Sequence, residues 1–149
     1  MNSYAVINIT DEGLCHKLSC VINNTSLTPL KWLTFVDELN NTIQNIGKDE
    51  KIQKFYLYFD VTHIDILMKQ DNYKDIVNIF NNNYELFINK LLGTFIYIEG
   101  HVLKLLINIF MKFYTPVRPL FVLKTKIIDQ QIITDLLDNR KNNNEYNLT

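Results

Sequence analysis

Apolar residues change their spacing along this chain, and the changes mark out its elements. From Tyr4 to Ile9, and again from Leu14 to Ile22, apolar and polar positions alternate as in half-buried strands, with turn chemistry at Asp11-Glu12-Gly13 between them. Leu14, His16, Leu18, Cys20 and Ile22 share one side of the second strand, while Lys17 and Ser19 lie on the other. This predicts a hairpin with one wet face and a packed His16. The spacing then lengthens. Thr28-Pro29 supplies a capping hydroxyl and a proline for a first helical turn, and Trp32, Phe35, Val36, Leu39, Ile43 and Ile46 follow at steps of three and four. Gly47 is expected to close that helix.

Beyond it the strands are apolar throughout. Phe55-Tyr56-Leu57-Tyr58-Phe59 predicts a strand covered on both faces, ended by Asp60-Val61-Thr62. Asp71-Asn72 opens a second helix expected to carry Tyr73, Ile76, Val77, Phe80, Tyr84, Phe87, Ile88 and Leu91 along one side. Phe95–Ile98 is a second buried strand, Val102–Tyr114 a third helix, and Leu120–Leu123 a third buried strand after Pro116 and Pro119. A last helix carries Ile128, Ile132, Ile133, Leu136 and Leu137. The predicted fold is α/β: an N-terminal β-hairpin, then αβαβαβα, giving a mixed, mainly parallel sheet with helices on both faces. No repeat or linker divides the chain. Residues 1–138 are expected to form one domain, and 139–149 a polar, Asn-rich tail.

Composition narrows the function classes. The 149 residues are 47% hydrophobic and 21% charged, a globular balance, with a net charge of −1. No basic surplus exists to neutralise phosphates, so a nucleic-acid partner is not expected. Asn, Ile and Lys make up about a third of the chain. That bias points to an A/T-rich genome and empties Asn and Lys clusters of meaning. The N-terminus shows no basic flank before an apolar core, and no apolar run approaches the ~20 residues of a membrane span, so a cytoplasmic location is expected. Cys15 and Cys20 lie five apart, on opposite faces of a strand, and are expected to be reduced structural thiols rather than a disulfide or a metal site.

Catalytic motifs are absent. Four glycines cannot build a phosphate loop or a dinucleotide fingerprint, and no nucleophile elbow, His-Glu-x-x-His or Cys-x-x-Cys is present. Neither cofactor nor metal is expected. The ends of the parallel strands, where open α/β sheets bind ligands, carry Asp60, Thr62, His63 and Asp65, then Glu99 and His101, then Lys124 and Thr125. Asp60, His63, Glu99 and His101 have the chemistry for acid–base work or metal binding. They equally suit turn caps and a helix start, and the chain is read as a non-enzyme.

Thr94–Ile98, the helix after it and Phe113–Leu123 together resemble the CRAL-TRIO lipid-binding domain, in which a strand leads into an amphipathic gating helix, a Pro-containing turn and another buried strand. Phe59-Asp60-Val61-Thr62 resembles an earlier strand of that family, and Asn83-Tyr84-Glu85 its Tyr-Pro-Glu-Arg segment. The likeness spans roughly residues 55–137. It departs at Tyr84-Glu85, which lacks the Pro and Arg, at Glu99-Gly100-His101, which replaces Asn-Ala-Pro, and in the missing helical segment before the domain. The resemblance implies a hydrophobic pocket between sheet and gating helix, lined by Leu103, Leu106, Ile107 and Phe110, with Glu85 and Arg118 near headgroup positions. The order of elements also resembles the STAS domain, a regulatory interaction module, although Asp65-Ile66-Leu67-Met68-Lys69 holds no phosphorylatable Ser.

The helix at 101–114 carries more apolar surface than one sheet can cover. Val102, Leu103, Leu105, Leu106, Ile107, Ile109, Phe110 and Phe113 leave only a narrow stripe of Lys104, Asn108 and Lys112. A lipid or other small hydrophobic ligand, a protein partner or a peripheral membrane contact would account for the excess.

Overall fold

The computed structural model describes residues 3–64, 70–139 and 146–148. They form one six-stranded sheet in sequential order: β1 (Ala5–Asp11), β2 (His16–Ile22), β3 (Phe55–Asp60), β4 (Leu91–Tyr97), β5 (Leu120–Leu123) and β6 (Tyr146–Leu148). β1 and β2 pair antiparallel, and every later pairing is parallel. The mixed, mainly parallel α/β sheet expected from the apolar runs is therefore present. Tyr146–Leu148, in the stretch expected as a tail, runs beside β5, because strand pairing needs main-chain partners rather than apolar side chains.

Five helices connect the strands: α1 (Pro29–Lys48), α2 (Gln70–Asn82), α3 (Tyr84–Lys90), α4 (His101–Phe110) and α5 (Gln130–Asn139). Both faces of the sheet are covered. On one, Leu18, Phe55 and Leu57 pack with Trp32, Phe35, Leu39 and Ile43 of α1 and with Phe80 and Phe87 of α2 and α3. On the other, Tyr56, Phe95, Phe121 and Leu123 pack with Ile133 and Leu136 of α5. Cys20 belongs to the first layer and Cys15 to the second, both unbridged, as strand alternation requires.

Local chemistry moved several boundaries. Thr28 caps α1, its Oγ1 accepting from Lys31 N at 3.2 Å with Pro29 in the first turn. Gly47 does not close that helix. It sits inside α1, where an added Cβ would lie 3.3 Å from Leu86 Cδ2, so the glycine serves the close approach of α1 to α3. Lys90 Nζ instead binds the carbonyls of Ile46 and Asp49 at the end of α1, at 3.1 and 3.2 Å.

The single helix expected over residues 71–91 is two. Buried Asn83 donates from Nδ2 to Ile79 O at 2.7 Å and to Asn40 Oδ1 at 3.2 Å, and its backbone leaves helical geometry there. A short amide competing with the main chain is a sufficient cause of the break. Leu91, expected on the helix, opens β4 opposite Phe55. At the hairpin, Leu14 stays 79% exposed because β2 begins only at His16. His16 is half-buried rather than packed in the core, 4.0 Å from the Asp11 carboxylate.

Candidate functional site

Two places gather the residues singled out by sequence: a cavity between the sheet and α4, and a polar cluster at the ends of β3 and β4.

The cavity has a volume of about 110 Å³. Phe59, Thr94, Ile96 and Leu120 form its sheet side, Trp32 and Phe35 come from α1, Tyr73, Ile76 and Phe80 from α2, and Ile107 and Phe110 from α4. Its accessible lining is all carbon. Thr94 contributes no polar surface there, and the Trp32 indole N–H is committed to Asp75 Oδ2 at 2.8 Å. Of the lining residues, Ile64, Ile76, Ile107 and Phe110 are only half-buried.

Gly100, with φ +83°, turns the chain from β4 into α4, a backbone region that favours glycine. Farther along, Phe80 holds the end of the helix. Its ring lies 6.2 Å from Phe110 and 5.2 Å from Tyr114 in edge-on contacts. The excess apolar surface expected of this helix is evident at Leu105, which is 58% exposed.

Of the four residues expected to line a pocket, Ile107 and Phe110 do so. The side chains of Leu103 and Leu106 lie outside the described residues. Glu85 is exposed on α3, and neither it nor Arg118 lines the cavity. Arg118 is buried and donates from Nε to Leu91 O at 2.9 Å, fastening the turn before β5 to the start of β4.

The polar cluster lies on the other sheet face. Asp60 is buried, with Oδ1 accepting from Thr62 N at 3.1 Å and Thr62 Oγ1 at 2.6 Å, and with Oδ2 3.5 Å from Lys126 Nζ. The same ammonium stands 5.6 Å from the centre of the Tyr97 ring, and Tyr97 donates its hydroxyl to Glu99 Oε1 at 2.5 Å. Bonding to Glu99, then burial and nearby carboxylates, push the Tyr97 phenol up to about 12. It therefore keeps its proton at neutral pH. Asp60 and Glu99 thus come together through Tyr97 and Lys126.

His63 is exposed and makes no hydrogen bond to Asp60 or Glu99 among the described residues. Asp65 and the His101 side chain lie outside them. Among the described residues no three His, Cys, Asp or Glu side chains gather as a metal ion requires. Asp60 and Glu99 are each bonded to a neighbour, which suits a structural clasp.

Sequence reasoning missed Lys126, Tyr97 and the α1 and α2 walls of the cavity. Tyr97 was legible only as strand filling. Lys126 lies two residues beyond the Lys124-Thr125 pair noticed at that edge, and nothing local shows which lysine turns back. Among the described residues, no helix is long and apolar enough to cross a membrane. No family model, curated protein or solved structure matches the chain.

Proposed function

We propose that this domain is a non-enzymatic binding module that takes a small hydrophobic molecule, or the end of a lipid chain, into the cavity between the sheet and α4. The carrying observation is an all-carbon space of about 110 Å³ walled in part by half-buried Ile107 and Phe110 of α4. Apolar cavities of about 150 Å³ stay dry and bind benzene. An apolar guest gains by burying its carbon surface against this lining. The size suits one ring or a short stretch of acyl chain, and with no polar lining the occupied end is uncharged. This is the place where the CRAL-TRIO resemblance expects a ligand. A second reading, a protein-interaction module of the STAS kind, is favoured by the exposure of Leu105 on α4.

The test has two arms. Protein purified from cells is extracted with organic solvent and the extract analysed by mass spectrometry, and stripped protein is titrated with benzene while its melting temperature and methyl NMR shifts are followed. A co-purifying lipid or saturable benzene binding is expected, and Ile107→Trp, which fills the cavity, abolishes it with the fold retained. Protein that is lipid-free and indifferent to benzene would leave the interaction reading.

A further inference from the structure

Among the described residues β1 lies at the edge of the sheet, and of its outward main-chain groups the Ala5 carbonyl accepts from the Ser3 hydroxyl at 3.0 Å. Natural sheets blunt such edges with lysine, proline or a bulge. β1 reads Ala-Val-Ile-Asn-Ile-Thr-Asp, has none of these, and pairs with β2 over seven uninterrupted residues.

The direction of its main-chain groups follows from the ladder. Asn23 N donates to Tyr4 O at 2.8 Å, and Glu12 N to Cys15 O at 2.9 Å. Hydrogen-bonded pairs alternate along an antiparallel ladder, so Val6, Asn8 and Thr10 exchange bonds with Val21, Ser19 and Lys17. Ala5, Ile7, Ile9 and Asp11 therefore turn their N–H and C=O groups outward, and the Ala5 carbonyl, which holds the Ser3 hydroxyl, keeps a second lone pair for a partner strand.

We propose that this rim pairs with β1 of a second copy of the chain, antiparallel about a two-fold axis at Asn8, joining two sheets into one. The strand is complementary to itself. Centred on Asn8, all seven residues find a partner: Ile7 faces Ile9, Val6 faces Thr10, and Asp11 faces Ala5. The outward main-chain groups of Ile7 meet those of Ile9, as an antiparallel ladder requires. The only charged residue of the strand meets alanine, so no like charges oppose each other across the new ladder. The exposed apolar side chains of Val6 and Ile9 gain cross-strand neighbours. An isologous contact of this kind closes on itself as a dimer.

The test uses the full chain, with mass followed by light scattering and analytical ultracentrifugation across the micromolar range. A reversible monomer–dimer equilibrium is expected. Asn8→Cys places two thiols across the axis in a non-hydrogen-bonded pair, with Cα atoms about 4.5 Å apart, within disulfide reach. It is expected to cross-link in air, whereas Val6→Cys, which faces Thr10, is not. Cys15 and Cys20 are buried and do not compete. Ile9→Pro removes only an outward N–H and leaves the bonds to β2 intact, so it is expected to weaken the dimer about tenfold or more. Ile9→Lys does the same through charge, should the proline disturb folding. A chain that stays monomeric across the range overturns the proposal. So does a dimer unchanged in both folded Ile9 variants, or Val6→Cys cross-linking as fast as Asn8→Cys.

Discussion

Trp32 of α1 donates its indole N–H to Asp75 Oδ2 of α2 at 2.8 Å, tying together two helices that wall the cavity. The bond lets a tryptophan only 7% exposed present carbon to the cavity while its nitrogen is satisfied elsewhere. Removing the acceptor strands a buried donor. Asp75→Ala is expected to lower stability by about 1–3 kcal/mol, and Asp75→Asn, which keeps a carbonyl acceptor, by clearly less. Urea denaturation of the two variants checks this, and equal losses would show that the charge rather than the bond matters.

Tyr73 gives the opposite case. Its hydroxyl is buried and finds no hydrogen-bond partner among the described residues. Tyr73→Phe removes that unmet group while keeping the ring, so stability is expected to hold or to rise by about 1 kcal/mol. A loss larger than about 1 kcal/mol in the same denaturation experiment would reveal a partner for the hydroxyl.

At the ends of β3 and β4 the two contacts of Asp60 differ in weight. Lys126 is 63% exposed, so its ion pair at 3.5 Å is screened by water. The bonds from Thr62 hold a buried carboxylate in place. Lys126→Ala is expected to cost less than about 0.5 kcal/mol, and Asp60→Ala about 1–3 kcal/mol through the unpaired turn. Thermal melts at low and high salt separate them, because only the lysine contribution fades with ionic strength.

The thiol of Cys15 predicts the alkaline limit of the fold. Burial first, then the charges of Glu12 and Asp11, push it from an ordinary 9.0 up to about 11. The folded chain thus holds that proton more tightly than the unfolded chain. Below pH 9 both states keep it, and no slope results. Between pH 9 and about 11 the unfolded state binds fewer protons, so stability falls as pH rises. Burial raises Cys20 in the same direction, and Tyr114 is pushed up to about 12, which extends the decline. Urea midpoints are expected to be flat into pH 9 and to drop above it, with a shallower drop in Cys15→Ala.

The sequence by itself determined the α/β class, the hairpin and the three buried parallel strands, because alternation and unbroken apolar runs record whether one face of an element is covered or both. Leu18 against Lys17, and the unbroken run from Phe55 to Phe59, carry that record locally. Only the tertiary structure decided the rest. The amide at the Asn83 break bonds not only Ile79 O in its own helix but also Asn40, forty-three residues away. Gly47 reads as a helix stop until Leu86 is seen against it. Lys126 joins Asp60 and Tyr97 only because the turn after β5 folds back over the sheet edge. The cavity is the furthest from local legibility, since periodicity tells which way Ile107 and Phe110 point but not whether Trp32, Tyr73 and Ile96 fill the space before them. A void is the remainder of side-chain volumes from several distant elements, and no window of neighbouring residues contains that sum.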